Sequence, residues 1–214
     1  MPVLLNGEMG ASLLSRAECI EAVERAFAEL ADGTAVLPLR TAILSPGGVS
    51  LYMPAYLRGQ DALVCKVVAV FRDNPEKHRL PTTTGTILLQ DAQTGRVCCI
   101  LEGAYLTALR TGAASGVATR HLARADAGQT AGIFGAGVQG RMQLRAVREV
   151  RRLSRAYVHD PAAGAAERFA GEMSRLLDLE VVAASAREAA RADILCTATT
   201  SPIPLFAGGE VREG

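Results

Sequence analysis

A glycine-rich turn between an apolar strand and a helical pattern constrains the fold of this chain most. The segment 130–134 is apolar and leads directly into Gly135-x-Gly137-x-x-Gly140, after which apolar residues recur at helical spacing. In a strand–turn–helix unit of this kind, the first glycine makes the turn and the second lets the backbone approach a diphosphate. The third glycine lets the helix pack against its strand. Because the N–H groups at the start of the helix then face the anion, the chain is predicted to bind a dinucleotide.

An acidic residue in the following segment supports this interpretation. The apolar residues 156–159 lead into Asp160, which lies about 20 residues after Gly140, the usual spacing for such a carboxylate. A carboxylate there meets the ribose 2′-hydroxyl of NAD and repels the 2′-phosphate of NADP. NAD is therefore the predicted cofactor, and NADP stays possible because Arg168 is nearby. The alternative is an ordinary glycine-rich turn followed by a chance acidic residue.

Composition argues against nucleic acid and membranes as partners. The chain has 214 residues, a formal net charge of +1, 4% aromatic residues and no tryptophan. Four arginines, Arg141, Arg145, Arg148 and Arg152, recur at helical spacing, and we interpret them as a solvated helix face. No apolar stretch reaches membrane-spanning length, and the first ten residues lack the features of a signal peptide. A cytoplasmic protein with no nucleic-acid or membrane partner is expected.

The cysteines and histidines form no pattern typical of a metal site or a disulfide framework. The five cysteines are odd in number and include no CxxC, so reduced thiols are expected. His78, His121 and His159 are scattered, without the spacing that zinc ligands require. We therefore predict no metal.

The pattern of apolar residues predicts two domains that meet near residue 125. The sequence at 15–18 is typical of a capping box and starts an amphipathic helix that ends near Gly33. Short apolar runs between residues 36 and 101 predict a mostly antiparallel sheet, and a helix rich in small residues follows at 105–124. From residue 129 strands and helices alternate, which predicts an α/β fold with a parallel, Rossmann-type sheet. Four strands can be counted there before residue 214, whereas the common dinucleotide-binding form has six, so this domain is expected to be incomplete.

Four segments together resemble the ornithine cyclodeaminase and mu-crystallin family. They are LTALRTGAAS at 106–115, GAGVQGRMQ at 135–143, Met53-Pro-Ala-Tyr56 with Lys66 downstream, and CTATTSP at 196–202. The resemblance implies a smaller α+β substrate-binding and dimerisation domain at 1–125, an NAD(P)-binding Rossmann domain at 126–214 whose second half is missing, and a homodimer. It also implies that the family's chains continue past this point, where their catalytic aspartate lies.

The resemblance implies roles for individual residues. Arg40, Lys66 and Arg110 bind the carboxylate of the substrate, and Lys66 and Arg110 are the catalytic candidates. A guanidinium suits a planar carboxylate, and a lysine within an apolar strand needs a charged partner or a ligand. Surface positions for the two arginines and an outward-facing Lys66 are the alternatives. The residues expected to bind the cofactor are Arg110, Thr111, Gly135, Gly137, Val138, Gln139, Gly140, Asp160, Thr197 and Thr199.

The function that the resemblance implies is that of an NAD(P)-dependent oxidoreductase acting on the C=N or CH–NH bond of a small imino or amino acid. Ornithine cyclodeaminases carry an acidic residue two positions before the Met-Pro pair, where this chain has Leu51. An apolar side chain cannot pair with the distal ammonium of ornithine. Two alternatives are left open: a lyase of the ornithine cyclodeaminase type with bound NAD, and a non-catalytic binding protein or remnant like mu-crystallin.

Overall fold

The computed structural model describes residues 1–124 and 129–212, so the predicted domain boundary near residues 125–128 lies outside the described residues. By packing, the chain divides into two compact units. The first unit comprises Met1–Ser15 and Glu24–Thr107, and the second comprises Arg16–Val23 and Ala108–Gly214. The division of the chain at residue 125 stays a prediction.

The helices and strands follow the predicted order closely. They are β1 (Val3–Leu5), α1 (Gly7–Leu13), α2 (Arg16–Ala31), β2 (Ala35–Val36), β3 (Thr41–Ser45), β4 (Gly48–Leu57), β5 (Ala62–Val70), α3 (Asn74–His78), β6 (Thr83–Gln90), β7 (Val97–Glu102), α4 (Gly103–Leu122), β8 (Thr130–Phe134), α5 (Val138–Val150), β9 (Arg155–His159), α6 (Ala165–Leu177), β10 (Glu180–Ala183), α7 (Ala186–Ala190) and β11 (Ile194–Thr197). None of the helices among these residues has both the length and the apolar character that a membrane crossing requires.

The first unit is built on a mixed sheet. Its described strands follow the order β1-β7-β6-β5-β4-β2, and β3 also pairs with β4. All of these pairs are antiparallel except β1 with β7, which confirms the mostly antiparallel sheet. No described residue of these strands is fully buried, and β5, which is almost entirely apolar, is half-buried along its whole length. The unit taken by itself therefore leaves much apolar sheet surface in contact with water.

The second unit is a parallel sheet covered by helices, which confirms the α/β, Rossmann-type fold class. In the part of the chain that the structure describes, its strands follow the order β10-β9-β8-β11, and every pair is parallel. The core between the sheet and the helices includes Ile133, Leu144, Val158, Phe169 and Met173, all inaccessible to solvent. After β8 the chain moves toward β10, and α7 then returns it to the other side of β8. The point where the strand order reverses lies between β8 and β11.

Small residues let two helices of this unit approach closely. A Cβ atom added at Gly112 on α4 would lie 2.6 Å from the carbonyl oxygen of Met142 on α5. A Cβ added at Gly116 would lie 3.3 Å from the Cβ of Ala146. The small residues of α4 therefore allow α5 to pack closely against it.

Candidate functional site

The glycine loop after β8 has the geometry that the sequence predicts for its first and third glycines. Gly135 has φ +101°, and a Cβ added there would overlap the carbonyl oxygen of Ala198. A Cβ added at Gly140 would overlap the carbonyl oxygen of Gly135 and lie 3.1 Å from Cγ2 of Ile133. The turn and the close packing of α5 on β8 therefore both require glycine.

The second glycine is not required by any contact within the protein. Gly137 precedes α5 with φ −83° and ψ −169°, a conformation open to any residue. A Cβ added there would meet no atom within 4 Å. The residue is exposed, so open space adjoins the backbone at the start of the helix.

The N-terminus of α5 is suited to an anion. The first N–H groups of a helix have no acceptor within it, and they carry the positive end of the helix dipole. No acidic residue lies in the first turn to occupy these groups. The side-chain oxygen of Gln139 is buried and has no hydrogen-bond partner among the residues that the structure describes. This end of the helix therefore offers backbone donors and one buried acceptor to a ligand.

Asp160 ties the glycine loop to the end of β9. Its Oδ2 accepts a hydrogen bond from the backbone N–H of Ala136 at 2.7 Å, and its Oδ1 accepts from the N–H of Ala162 at 2.9 Å. The bond from Ala136, followed by that from Ala162, lowers the pKa of Asp160 against the opposing effect of desolvation. The side chain is therefore a carboxylate at neutral pH, and its remaining lone pairs can accept from a hydroxyl group.

A cavity of about 370 Å³ adjoins Asp160 at the carboxyl ends of β9 and β10. His159, Glu167, Ser185 and Glu188 also line it. Hydrogen bonds from the hydroxyl and then the backbone N–H of Ser185 lower the pKa of Glu188. Three acidic side chains, Asp160, Glu167 and Glu188, therefore border this cavity. Their negative charge disfavours binding of a phosphate group there.

A second cavity, of about 400 Å³, lies at the carboxyl end of β11. It is lined by the exposed residues Thr197, Thr199 and Ser201 and by residues 203–206. The N–H of Ala198 donates to the carbonyl oxygen of Phe134 at 2.7 Å, which fixes this segment beside the glycine loop. Both cavities thus open at the carboxyl edge of the parallel sheet, the edge at which ligands usually bind in such sheets.

Arg141 contacts the glycine loop, and its interpretation as part of a solvated face is wrong. Its Nη1 donates to the carbonyl oxygens of Ala136 and of Gly137, the latter at 3.3 Å. Its Nε and Nη2 donate to Oε2 of Glu172 at 3.0 and 2.6 Å, and its Cζ lies 4.9 Å from the ring centre of Phe169. The regular spacing of the arginines could not predict these contacts, because Glu172 lies 31 positions from Arg141 in the sequence.

Arg40 and Lys66 both belong to the first unit. Lys66 on β5 is opposite Met53 on β4, and Arg40 directly precedes β3, whose first residue, Thr41, is opposite Tyr52 on β4. Lys66 is half-buried and Arg40 is exposed.

Arg110 and Thr111 lie on α4 within the second unit, which also contains the glycine loop. Arg110 is exposed as a whole residue. Desolvation of its guanidinium by the surrounding protein lowers the pKa of Arg110, and the electrostatic interaction with Cys19 partly offsets this lowering. Thr111 is half-buried.

Within residues 1–124 and 129–212, no group of three or more His, Cys, Asp or Glu side chains is placed to hold a metal ion. The absence of a metal stays a prediction.

Comparisons with known proteins agree with this geometry. The sequence model of the ornithine cyclodeaminase/mu-crystallin family matches residues 2–214. Alanine dehydrogenase of Archaeoglobus fulgidus is 35% identical over 214 residues, which cover 99% of this chain and 64% of that protein. The structure of Thermococcus litoralis Δ1-pyrroline-2-carboxylate reductase with NADH and L-proline has a TM-score of 0.91 and 49% identity, covering 99% of this chain and 66% of that one.

A third relative has the same fold. An archaeal alanine dehydrogenase dimer with bound NAD has a TM-score of 0.93 and 33% identity, and the match covers 100% of this chain and 65% of that one. The chain described here therefore spans slightly less than two thirds of the length of these relatives.

Proposed function

The chain belongs to the ornithine cyclodeaminase/mu-crystallin family, and from this we propose that it is an NAD-dependent oxidoreductase acting on the C=N or CH–NH bond of a small imino or amino acid. The observation that carries the proposal is the open N-terminus of α5 beside Gly137, next to a carboxylate at Asp160. Two similar structures, the Thermococcus litoralis reductase with NADH and L-proline and the archaeal alanine dehydrogenase with NAD, support this choice of reaction.

The residues present fit a dinucleotide. The N–H groups around Gly137 would bind the diphosphate, Asp160 would accept from the adenosine ribose, and Thr197 and Thr199 would lie on the nicotinamide side. When bound, the reduced cofactor supplies a hydride from C4 of its nicotinamide ring. The remaining residues assigned to its binding are Arg110, Thr111, Gly135, Val138, Gln139 and Gly140.

NAD is preferred over NADP on electrostatic grounds. The 2′-phosphate of NADP would enter the cavity beside Asp160, where Glu167 and Glu188 add further negative charge. Each of these carboxylates repels a phosphate, whereas a ribose hydroxyl donates to Asp160. Arg168, whose guanidinium lies beside Gly164 at this cavity, is a nearby cationic group that would favour NADP.

The cationic residues assigned to the substrate are suited to its carboxylate. Lys66 on β5 is opposite Met53 on β4, and Arg40 directly precedes β3, which also pairs with β4, so both cationic residues belong to the same sheet region. Together with Arg110 they would hold the carboxylate, and their positive charge would make the C=N carbon more electrophilic. Leu51 lies two residues before Met53 on the same face, so a substrate with a distal ammonium finds no acidic partner at this position.

We also propose that the protein is a cytoplasmic homodimer in which the first unit forms the interface. The half-buried β5 and the exposed side chains of Leu39 and Leu44, 96% and 83% accessible, are apolar surface that a second copy would cover. The archaeal alanine dehydrogenase to which the chain is similar is described as a dimer. Light scattering at micromolar concentration checks this, and a monomer would contradict it.

A panel assay tests the reaction. The 214-residue chain, and any longer protein that contains it, is mixed with NADH and either cyclic imino acids or small 2-oxo acids with ammonia or methylamine. We expect oxidation of NADH, followed at 340 nm, with at least one imine, and weaker activity with NADPH. Release of ammonia from ornithine without added cofactor would favour the lyase instead. Failure to bind NADH at all would favour a non-catalytic protein.

A further inference from the structure

The glycine loop is held on two sides by charged side chains. On one side, Asp160 accepts the N–H of Ala136. On the other, Arg141 donates to the carbonyl oxygens of Ala136 and Gly137. Three consecutive peptide groups are therefore fixed by the side chains of Asp160, which follows β9, and of Arg141 on α5.

The carbonyl oxygens of Ala136 and Gly137 both face Arg141. The guanidinium donates to each of them, and the carbonyl oxygen of Gly137 also accepts the backbone N–H of Arg141 at 3.3 Å. In a trans peptide the C=O and the N–H point in opposite directions, so the N–H groups of Gly137 and Val138 face away from the guanidinium. Both of these residues are exposed at the start of α5.

Arg141 is itself held in place. Its Nε and Nη2 both bind Oε2 of Glu172 on α6, and its Cζ lies above the ring of Phe169, which is fully buried. The side chain of Arg141 is 25% accessible, so water competes with these contacts less than at an open surface. The guanidinium thus joins α6, the core and the loop, and no single point charge could make all of these contacts.

We propose that Arg141 is a positioning residue for the cofactor, which fixes the loop carbonyls so that the N–H groups of Gly137 and Val138 are presented to the diphosphate. The proposal rests on the proposed function, because the diphosphate is that of the bound NAD. Arg141 does not touch the ligand in this proposal, and Glu172 acts only by holding Arg141.

The test is a set of variants measured by NADH fluorescence titration and by thermal unfolding without ligand. Arg141→Met and Arg141→Lys are each expected to raise the Kd for NADH by roughly tenfold or more, the effect of losing hydrogen bonds to a charged group. Arg141→Lys keeps the charge but cannot bind both carbonyls and Glu172 together. Arg148→Met, which removes the same charge two turns further along α5, is the control and should keep the Kd within about twofold.

A second ligand pair separates positioning from general loss of structure. In the Arg141 variants, ADP binding should weaken together with NADH binding. Adenosine has no phosphate, so its Kd should change by less than about twofold if Arg141 acts only on the binding of the phosphates. Glu172→Gln should weaken ADP binding in the same direction by a smaller factor, and it tests the proposal even if Arg141→Met does not fold.

The outcomes are distinct. Wild-type affinity for NADH in folded Arg141→Lys would show that charge alone matters and would overturn the positioning role while leaving the proposed function intact. Equal losses for adenosine and ADP would also overturn it. If the wild-type chain binds neither NADH nor ADP, the proposed function and this inference both fail.

Discussion

Replacing Gly137 by alanine separates the role of this glycine in binding from any role in folding. Its backbone, at φ −83° and ψ −169°, is allowed for alanine, and the new Cβ would meet nothing within 4 Å. Alanine is a poorer N-cap than glycine by about 0.5–1 kcal/mol, while restriction of the unfolded chain favours alanine by about 0.4–1 kcal/mol. These effects nearly cancel. The melting temperature should therefore stay within about 2 °C of the wild-type value.

The same methyl group occupies the space through which a diphosphate must approach the loop. Hydrogen bonds between N–H groups and phosphate oxygens need about 2.7–3.2 Å, so displacement of the ligand by a methyl group breaks them. Losing two such bonds to a charged group costs about 3 kcal/mol, or roughly a hundredfold in Kd. Fluorescence titration with NADH measures this loss, and thermal unfolding without ligand measures stability on the same preparation.

Two matched glycine variants make the result interpretable. Gly171→Ala lies in the exposed middle of α6, where an added Cβ also meets nothing. It should stabilise the protein by about 0.5–1 kcal/mol and leave NADH binding unchanged. Gly140→Ala should destabilise the protein by about 1–3 kcal/mol or more, because its Cβ overlaps the carbonyl oxygen of Gly135. If folded Gly137→Ala binds NADH within twofold of wild type, the diphosphate does not lie beside this loop and the reasoning is refuted.

Three further predictions concern stability and reactivity. The stability that Asp160 contributes should be fully present above its ordinary pKa of 3.8 and lost as the pH falls through its lower pKa in the folded state; in urea unfolding, Asp160→Asn should lose less stability than wild type over this pH range, while the loss due to other carboxylates with lowered pKa values, such as Glu188, is common to both. Burial raises the pKa of Cys196 to about 12, so iodoacetamide at pH 8 should modify it only after unfolding, as read by mass spectrometry; modification of the native protein would contradict its burial. Phe169→Ala should lower the free energy of unfolding by about 3–5 kcal/mol in urea titrations, since the ring is fully buried, and a loss below 1 kcal/mol would show that the core does not depend on it.

The parts of the fold that could be predicted from the sequence are those with strong local patterns. The helix expected after the glycine turn is present as α5 (Val138–Val150), because the turn marks its start and apolar residues repeat along it. The short elements β1, α1 and β2 were not predicted, since two to seven residues carry too little periodicity. The polar segment at 72–81 has no apolar periodicity either, yet it contains the five-residue helix α3, whose first turn includes Pro75.

The candidate site shows the same division between local and long-range information. Gly135 and Gly140 could be assigned from spacing because their requirement is local, a turn and a helix packing on the preceding strand. The contacts of Arg141 with Glu172 depend on how α6 packs beside α5, and regular spacing of arginines cannot distinguish that contact from a solvated surface. A glycine motif alone is therefore weak evidence for a dinucleotide site, because the spacing of the glycines does not show whether the peptide groups of the loop are held in place. Here Arg141 donates to two loop carbonyls and Asp160 accepts the N–H of Ala136, and in the role proposed for Arg141 these contacts preorganise the loop for an anion.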